Sequence, residues 1–184
     1  MEKVVKPLFI LMIGMISATV FSQDIVRTGL VRAQLTISPS YNFSDNTSYF
    51  YLHGNAEVYL EKTLSIAGEG FYFLGNLSSE NNSFDFNHSL FFGASYHFLK
   101  NNNDFYIGIQ PGISITKLDN QVTNLGTIKT GINPLLSPVL GYNFYVHKVF
   151  HFFIQSRLVI GEHNYNLHKS LTEFRFSAGL GFNL

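Results

Sequence analysis

The chain reads as an all-β protein, an eight-stranded antiparallel up-and-down transmembrane β-barrel. Three observations predict this. Apolar and polar residues alternate with period 2 in eight segments, the pattern of strands whose two faces meet different surroundings. The connections between these segments run long, short, long, short, long, short, long, which is the rhythm of barrels with long loops at one end and tight turns at the other. Charged residues are only 13% of the 184 residues, while nineteen Phe and ten Tyr raise the hydrophobic share to 46%. Aromatic residues favour strands. Beyond the N-terminus no apolar run approaches the roughly 20 residues of a membrane-spanning helix.

The N-terminus has the three parts of a secretory signal. Lys3 and Lys6 supply the positive region, Leu8 to Val20 the apolar run, and Val20-Phe21-Ser22 a small residue before a cut ahead of Gln23. The expected organisation is a signal peptide over 1–22 and one barrel domain over 23–184.

Residues 23–29 read as a lead-in. The first strand is predicted over Leu30 to Ser38, with Val31, Ala33, Leu35 and Ile37 opposite Arg32, Gln34, Thr36 and Ser38. Pro39 to Ser48 is polar and rich in turn formers, so it reads as a loop. The second strand runs Tyr49 to Glu61 and the third Thr63 to Leu74, separated by a tight turn at Lys62. Gly75 to Asn87 is a long polar loop. The fourth strand, His88 to Leu99, sets Leu90, Phe92, Tyr96 and Phe98 against Ser89, Phe91, Ser95 and His97; residues 100–104 turn the chain. The fifth, Phe105 to Thr116, contains Pro111, which removes a ladder donor and predicts a bulge or local break. Lys117 to Gly131 is the longest loop. The sixth strand, Leu135 to Val146, and the seventh, Val149 to Glu162, meet at a turn at His147-Lys148. After a polar loop the eighth strand runs Glu173 to Leu184. It places Phe174, Phe176, Ala178, Leu180, Phe182 and Leu184 on one face, with charges, amides and glycine on the other.

Which face points inward decides what the barrel is. A soluble, lipocalin-like ligand binder would turn its apolar face inward. Eight strands enclose little more than side-chain space, and the Phe, Leu and Ile of the apolar face are too bulky for it. A soluble barrel also needs a well-charged exterior, and the polar face here is mostly uncharged. The apolar face is therefore assigned to lipid.

On these residues the chain resembles small bacterial outer-membrane barrels of the OmpA transmembrane domain and OmpX type. The Phe21-Ser22-Gln23 junction resembles those of Bacteroidetes barrel proteins. The resemblance implies an outer-membrane location with both termini periplasmic. It also implies insertion by the barrel assembly machinery through a terminal assembly strand, here Phe174, Phe176, Leu180, Phe182 and Leu184. Those barrels usually end on an aromatic, whereas this chain ends on Leu184, and there is no Trp for interfacial belts.

The polar face carries Arg32, Glu57, Glu61, Glu69, Arg157 and Arg175, read as a lumen ion-pair network that stiffens and plugs the barrel. The alternative is a proton or ion path through a narrow channel for small solutes. His53, His88, His163 and His168 fall towards the loop end, and His97, His147 and His151 towards the turn end; all read as solvated rim residues rather than metal ligands. A lipid A-modifying enzyme would need Ser, His and a carboxylate in reach. The adjacent His88 and Ser89 face opposite sides of a strand, so no catalytic residue, cofactor site or metal site is assigned. A zero net charge gives no electrostatic case for nucleic acid, and the absence of cysteine excludes disulfides and thiol chemistry. Apolar residues in the loops (Tyr41, Phe43, Phe84, Phe86, Leu118, Val122, Leu125 and Ile128) either meet an envelope-protein partner or pack on one another. The functional expectation is a non-enzymatic integral barrel, bathed in outer-membrane lipid, with a structural or protein-interaction role, in one version as an accessory of a larger envelope complex.

Overall fold

The computed structural model describes residues 25–76, 84–119, 129–165 and 167–184. The expected signal peptide, and the loop residues Val122, Leu125 and Ile128, lie outside them.

The strands among the described residues are β1 (Val31–Asn42), β2 (Thr47–Glu61), β3 (Leu64–Asn76), β4 (Phe84–Lys100), β5 (Asn103–Leu118), β6 (Gly131–Tyr145), β7 (Phe150–Asn164), β8 (His168–Ser170) and β9 (Glu173–Asn183). Each of β1 to β7 pairs antiparallel with the next, β7 pairs with β9, and β9 pairs back with β1, so eight strands close into a barrel. The three-residue β8 folds back on the end of β7.

Alternation sorts the side chains as expected. Leu35, Phe92, Leu90 and Ile132 are all about 60% exposed or more on the outer surface, whereas Arg32, Glu57, His97 and Arg175 are buried inside. An apolar exterior around a charged interior is the inverse of a soluble fold and matches a barrel in lipid. Phe174, Phe176, Leu180, Phe182 and Leu184 all lie on the exposed face of β9 or just beyond it.

One expectation needs correction. The loop predicted over Pro39 to Ser48 is mostly strand: Ser38, Ser40 and Asn42 continue inward, and only residues 43–46 turn. Polar turn formers there obey the strand period because the lumen is itself polar. The interruption expected at Pro111 is present, as a local break and not a bulge. β4–β5 pairing lapses opposite Pro111 and Gln110 and resumes in the same register, while β5–β6 pairing runs through. The lead-in packs into the barrel. Val26 and Leu30 pack with Tyr59 and Tyr145 in the mouth at the turn end, and the Tyr59 N–H donates to the Leu30 carbonyl at 2.9 Å.

The seam between β1 and β9 is paired at its two ends, Arg32 to Gln34 and Ser40 to Asn42, and unpaired between. There Thr36 Oγ1 donates to the Ala178 carbonyl (2.7 Å) and Ser38 Oγ to that of Phe176 (2.8 Å). At the loop end Tyr49, Phe73, Phe84, Leu118, Leu135 and Leu171 form an apolar cluster within the barrel.

Candidate functional site

The chemistry of this molecule is concentrated in its lumen, where each inward position on a strand adds a polar group to a stack. Near the turn end, Arg32 of β1 meets Glu57 of β2, with Nε to Oε2 at 3.0 Å and a second contact through Nη2. Its Nη1 reaches the Tyr145 hydroxyl (2.9 Å) and Asp104 (3.4 Å). His97 of β4 sits between two carboxylates, Nδ1 at 3.0 Å from Asp104 and Nε2 at 3.1 Å from Glu57. Tyr59 and Asn143 donate to Asp104 at 2.8 and 3.0 Å.

Higher up, Glu69 of β3 accepts from four side chains. Arg157 Nη2 lies at 2.5 Å, Gln110 at 2.8 Å, Gln155 at 3.0 Å and the His53 ring at 2.9 Å. Towards the loop end, Arg175 holds Glu173 at 2.5 Å and donates to Ser89 at 2.7 Å, while Tyr51 donates to Glu173 at 3.0 Å. Phe71 and Phe91 stand between these upper pairs, each within 4.8 Å of the Arg157 guanidinium carbon. Among the described residues Arg157 Nε and Nη1 have no hydrogen-bond partner, and the ring faces supply cation–π attraction.

Five of the six residues expected in the network, Arg32, Glu57, Glu69, Arg157 and Arg175, are brought together in the lumen as pairs. Glu61 is not. The β2–β3 register slips between Tyr59 and Glu61, the alternation ends there, and Glu61 is exposed at the turn. Reading by strand also missed Asp104, because it follows three asparagines and looks like a turn residue. His53, His97, His151 and His163 are buried rather than solvated; only their parity, on the inward face of a strand, signalled this. His151 bonds Gln34 (3.0 Å) and Asn183 (2.7 Å), and His163 bonds Thr116 (2.7 Å).

Ser65, His97 and Asp104 form a Ser–His–Asp line, with Ser65 Oγ at 2.8 Å from His97 Nε2. The geometry is that of an activated hydroxyl, but its surroundings are not. Ser65 is fully buried and also donates to Glu57, so the position an electrophile would occupy is filled by a carboxylate. Tyr59, Tyr145 and the lead-in lie below it. Among the described residues no group of three metal-ligating side chains is placed to hold an ion.

The lumen thus holds three guanidinium groups and four carboxylates in contact with one another and with amides, hydroxyls and aromatic rings. An apolar cluster stands at each end.

No protein-family model matches the chain, and no curated protein does. Solved structures do. Neisserial surface protein A has a TM-score of 0.65 at 17% identity, over 83% of this chain and 95% of that one. The outer membrane protein OprG from Pseudomonas aeruginosa also has a TM-score of 0.65, at 10% identity, over 86% and 97%. The N-terminal β-barrel domain of Pseudomonas aeruginosa OprF has a TM-score of 0.60 at 12% identity, over 85% and 98%. The chain has the fold of small eight-stranded outer-membrane barrels.

Proposed function

We propose that this is an integral outer-membrane protein with a closed lumen, both termini periplasmic, which serves as a structural or partner-binding element and is neither an enzyme nor a channel. The observation that carries this reading is the filled interior: ion pairs run from Arg32 to Glu173, with apolar clusters above and below. A path for solute would need a continuous file of water, and the pairs and rings occupy that line. A hydrolase would need Ser65 open to substrate.

What remains for function is the outer surface and the loop end. There Tyr41, Phe43, Tyr165 and Leu167 are exposed, which supports an envelope-protein partner engaged through the external loops. Phe84 and Leu118, by contrast, pack inward. The chain has no cysteine, so single cysteines report topology cleanly. Phe43→Cys should react with a membrane-impermeant maleimide on intact cells, and Lys62→Cys only after the outer membrane is permeabilised. The reverse pattern would overturn the orientation, and labelling of neither after permeabilisation would overturn the location.

A further inference from the structure

The lipid-facing surface is not evenly clad. On β2 and β3 four outward positions carry almost no side chain. Gly54 pairs with Gly70, and one row nearer the turn end Ala56 pairs with Gly68. Walls rise on both sides: Leu35 of β1 flanks Gly54, and Leu90 and Phe92 of β4 flank Gly70 and Gly68. A Cβ built on these glycines would meet only side chains, Leu35 Cδ1 at 3.8 Å, Leu90 Cδ2 at 3.4 Å and Phe92 Cδ2 at 4.0 Å. Over the Gly54–Gly70 row lies an apolar trough of about 500 Å³, lined also by Leu35, Leu90 and, on β5, Ile113 and Ile115, and within the size range of ligand pockets.

Glycine inside a strand weakens it and marks a bulge, a bend or a close approach by something else. No bulge is present here: β2–β3 register is unbroken from Tyr51 to Tyr59, and β3–β4 from Leu64 to Phe71.

The trough is closed towards the loop end by Leu52, Tyr72 and His88. The His88 ring stacks on Tyr72 at 4.3 Å. The β3–β4 pairing stops at Phe71 and Ser89, and the Phe73 N–H donates instead to His88 Nδ1 at 3.0 Å. Because Nδ1 accepts, the neutral ring carries its proton on Nε2. Among the described residues that N–H has no acceptor. Its height is informative. At about 3.3 Å per residue and a tilt near 40°, β4 climbs roughly 30 Å from Lys100 to His88. The lipid-facing apolar band is about 25 Å tall, so His88 stands at the interface, where the ester groups of lipids lie.

A donor at ester depth above a narrow apolar trough has the shape of one lipid chain with its linkage. We infer that the trough running from β1 to β5 is a binding site for a single acyl chain of an ester-linked membrane lipid, whose ester carbonyl accepts from His88 Nε2–H. The inference rests on the membrane-spanning reading above. It gives Gly54 and Gly70 a task, and it makes His88 a recognition residue rather than a solvated rim histidine.

The test uses the full chain extracted from membranes and placed in phosphatidylcholine nanodiscs. Retention of the unheated, fast-migrating gel form shows that the barrel is inserted; its absence would refute the membrane reading and leave the trough without a role. In inserted wild type, a phosphatidylcholine with a nitroxide midway along one ester-linked chain should broaden the amides of Gly54, Gly68 and Gly70 more than those of Ile109 and Leu140. The ether-linked analogue should do so with about fivefold weaker apparent affinity, one lost hydrogen bond. His88→Phe should abolish the difference between the two lipids. Gly70→Leu should abolish preferential broadening at Gly54 and Gly68. Uniform broadening around the wild-type barrel overturns the proposal without needing any variant to fold. Equal ester and ether binding overturns the role of His88. A trough protected by contact with a second copy of the barrel, seen as a concentration-dependent dimer, overturns the choice of occupant.

Discussion

Arg157 on β7 and Arg175 on β9 are direct register partners on the inward face of the barrel. Like charges directly opposite one another destabilise a sheet, and here each guanidinium turns to its own acid. Arg157 goes to Glu69 and Arg175 to Glu173, both at 2.5 Å. The Phe71 ring lies against both, 4.8 Å from one guanidinium carbon and 4.5 Å from the other. The opposition is thereby converted into two separate layers.

This partition predicts which pairs of substitutions couple. Arg157→Ala leaves the Glu69 carboxylate buried without its cation, a loss of about 3–5 kcal/mol. The double variant with Glu69→Ala should lose clearly less than the sum of the two. With Glu57→Ala it should lose nearly the sum, because Glu57 is held by Arg32. Urea unfolding in lipid vesicles, followed by the gel shift of the folded barrel, measures the three single and two double variants.

A buried acid read as a turn residue carries a second prediction. Asp104 accepts from Arg32, Tyr59, His97 and Asn143. Asp104→Ala should therefore destabilise the barrel as strongly as Arg157→Ala does, whereas Glu61→Ala, at the exposed turn, should fall within about 0.5 kcal/mol of wild type. The same vesicle assay compares them.

The terminal strand makes the third. Phe176 and Phe182 both face outward on β9. A charge at the bilayer middle costs about 2–4 kcal/mol for basic residues and less for acids. Phe176→Asp should lower the amount of heat-modifiable protein recovered from outer membranes. Phe182→Asp, nearer the end of the strand, should act mainly through recognition of the assembly strand. Wild-type recovery of both would remove the assembly role given to this face.

At the β1–β9 seam, Thr36 and Ser38 hydroxyls reach backbone carbonyls where the ladder lapses. Thr36→Val and Ser38→Ala should each cost about 1 kcal/mol. Hydrogen exchange should rise first in the facing stretch of β9, from Phe176 to Leu180, before the rest of the sheet opens.

Much of this was legible in the residues. Period 2 located eight strands because the two faces of each meet lipid on one side and a polar lumen on the other. The same signal ran through Ser38, Ser40 and Asn42, where turn-forming composition pointed elsewhere and the period was the better guide. The acids and bases of the lumen were visible by parity, but their partners were not, since pairing across a barrel depends on stagger between strands distant in sequence. Arg32 and Asp104 show this. Val26 carries no periodic pattern, and its burial comes from the shape of the mouth it fills.

The central claim is that the lumen is closed, and planar-bilayer recording of the wild-type protein tests it directly. The ion-pair layers and the apolar clusters predict a quiet membrane, with no steady open state across applied voltage. A large, stable conductance that scales with salt would contradict the account and make the protein a channel.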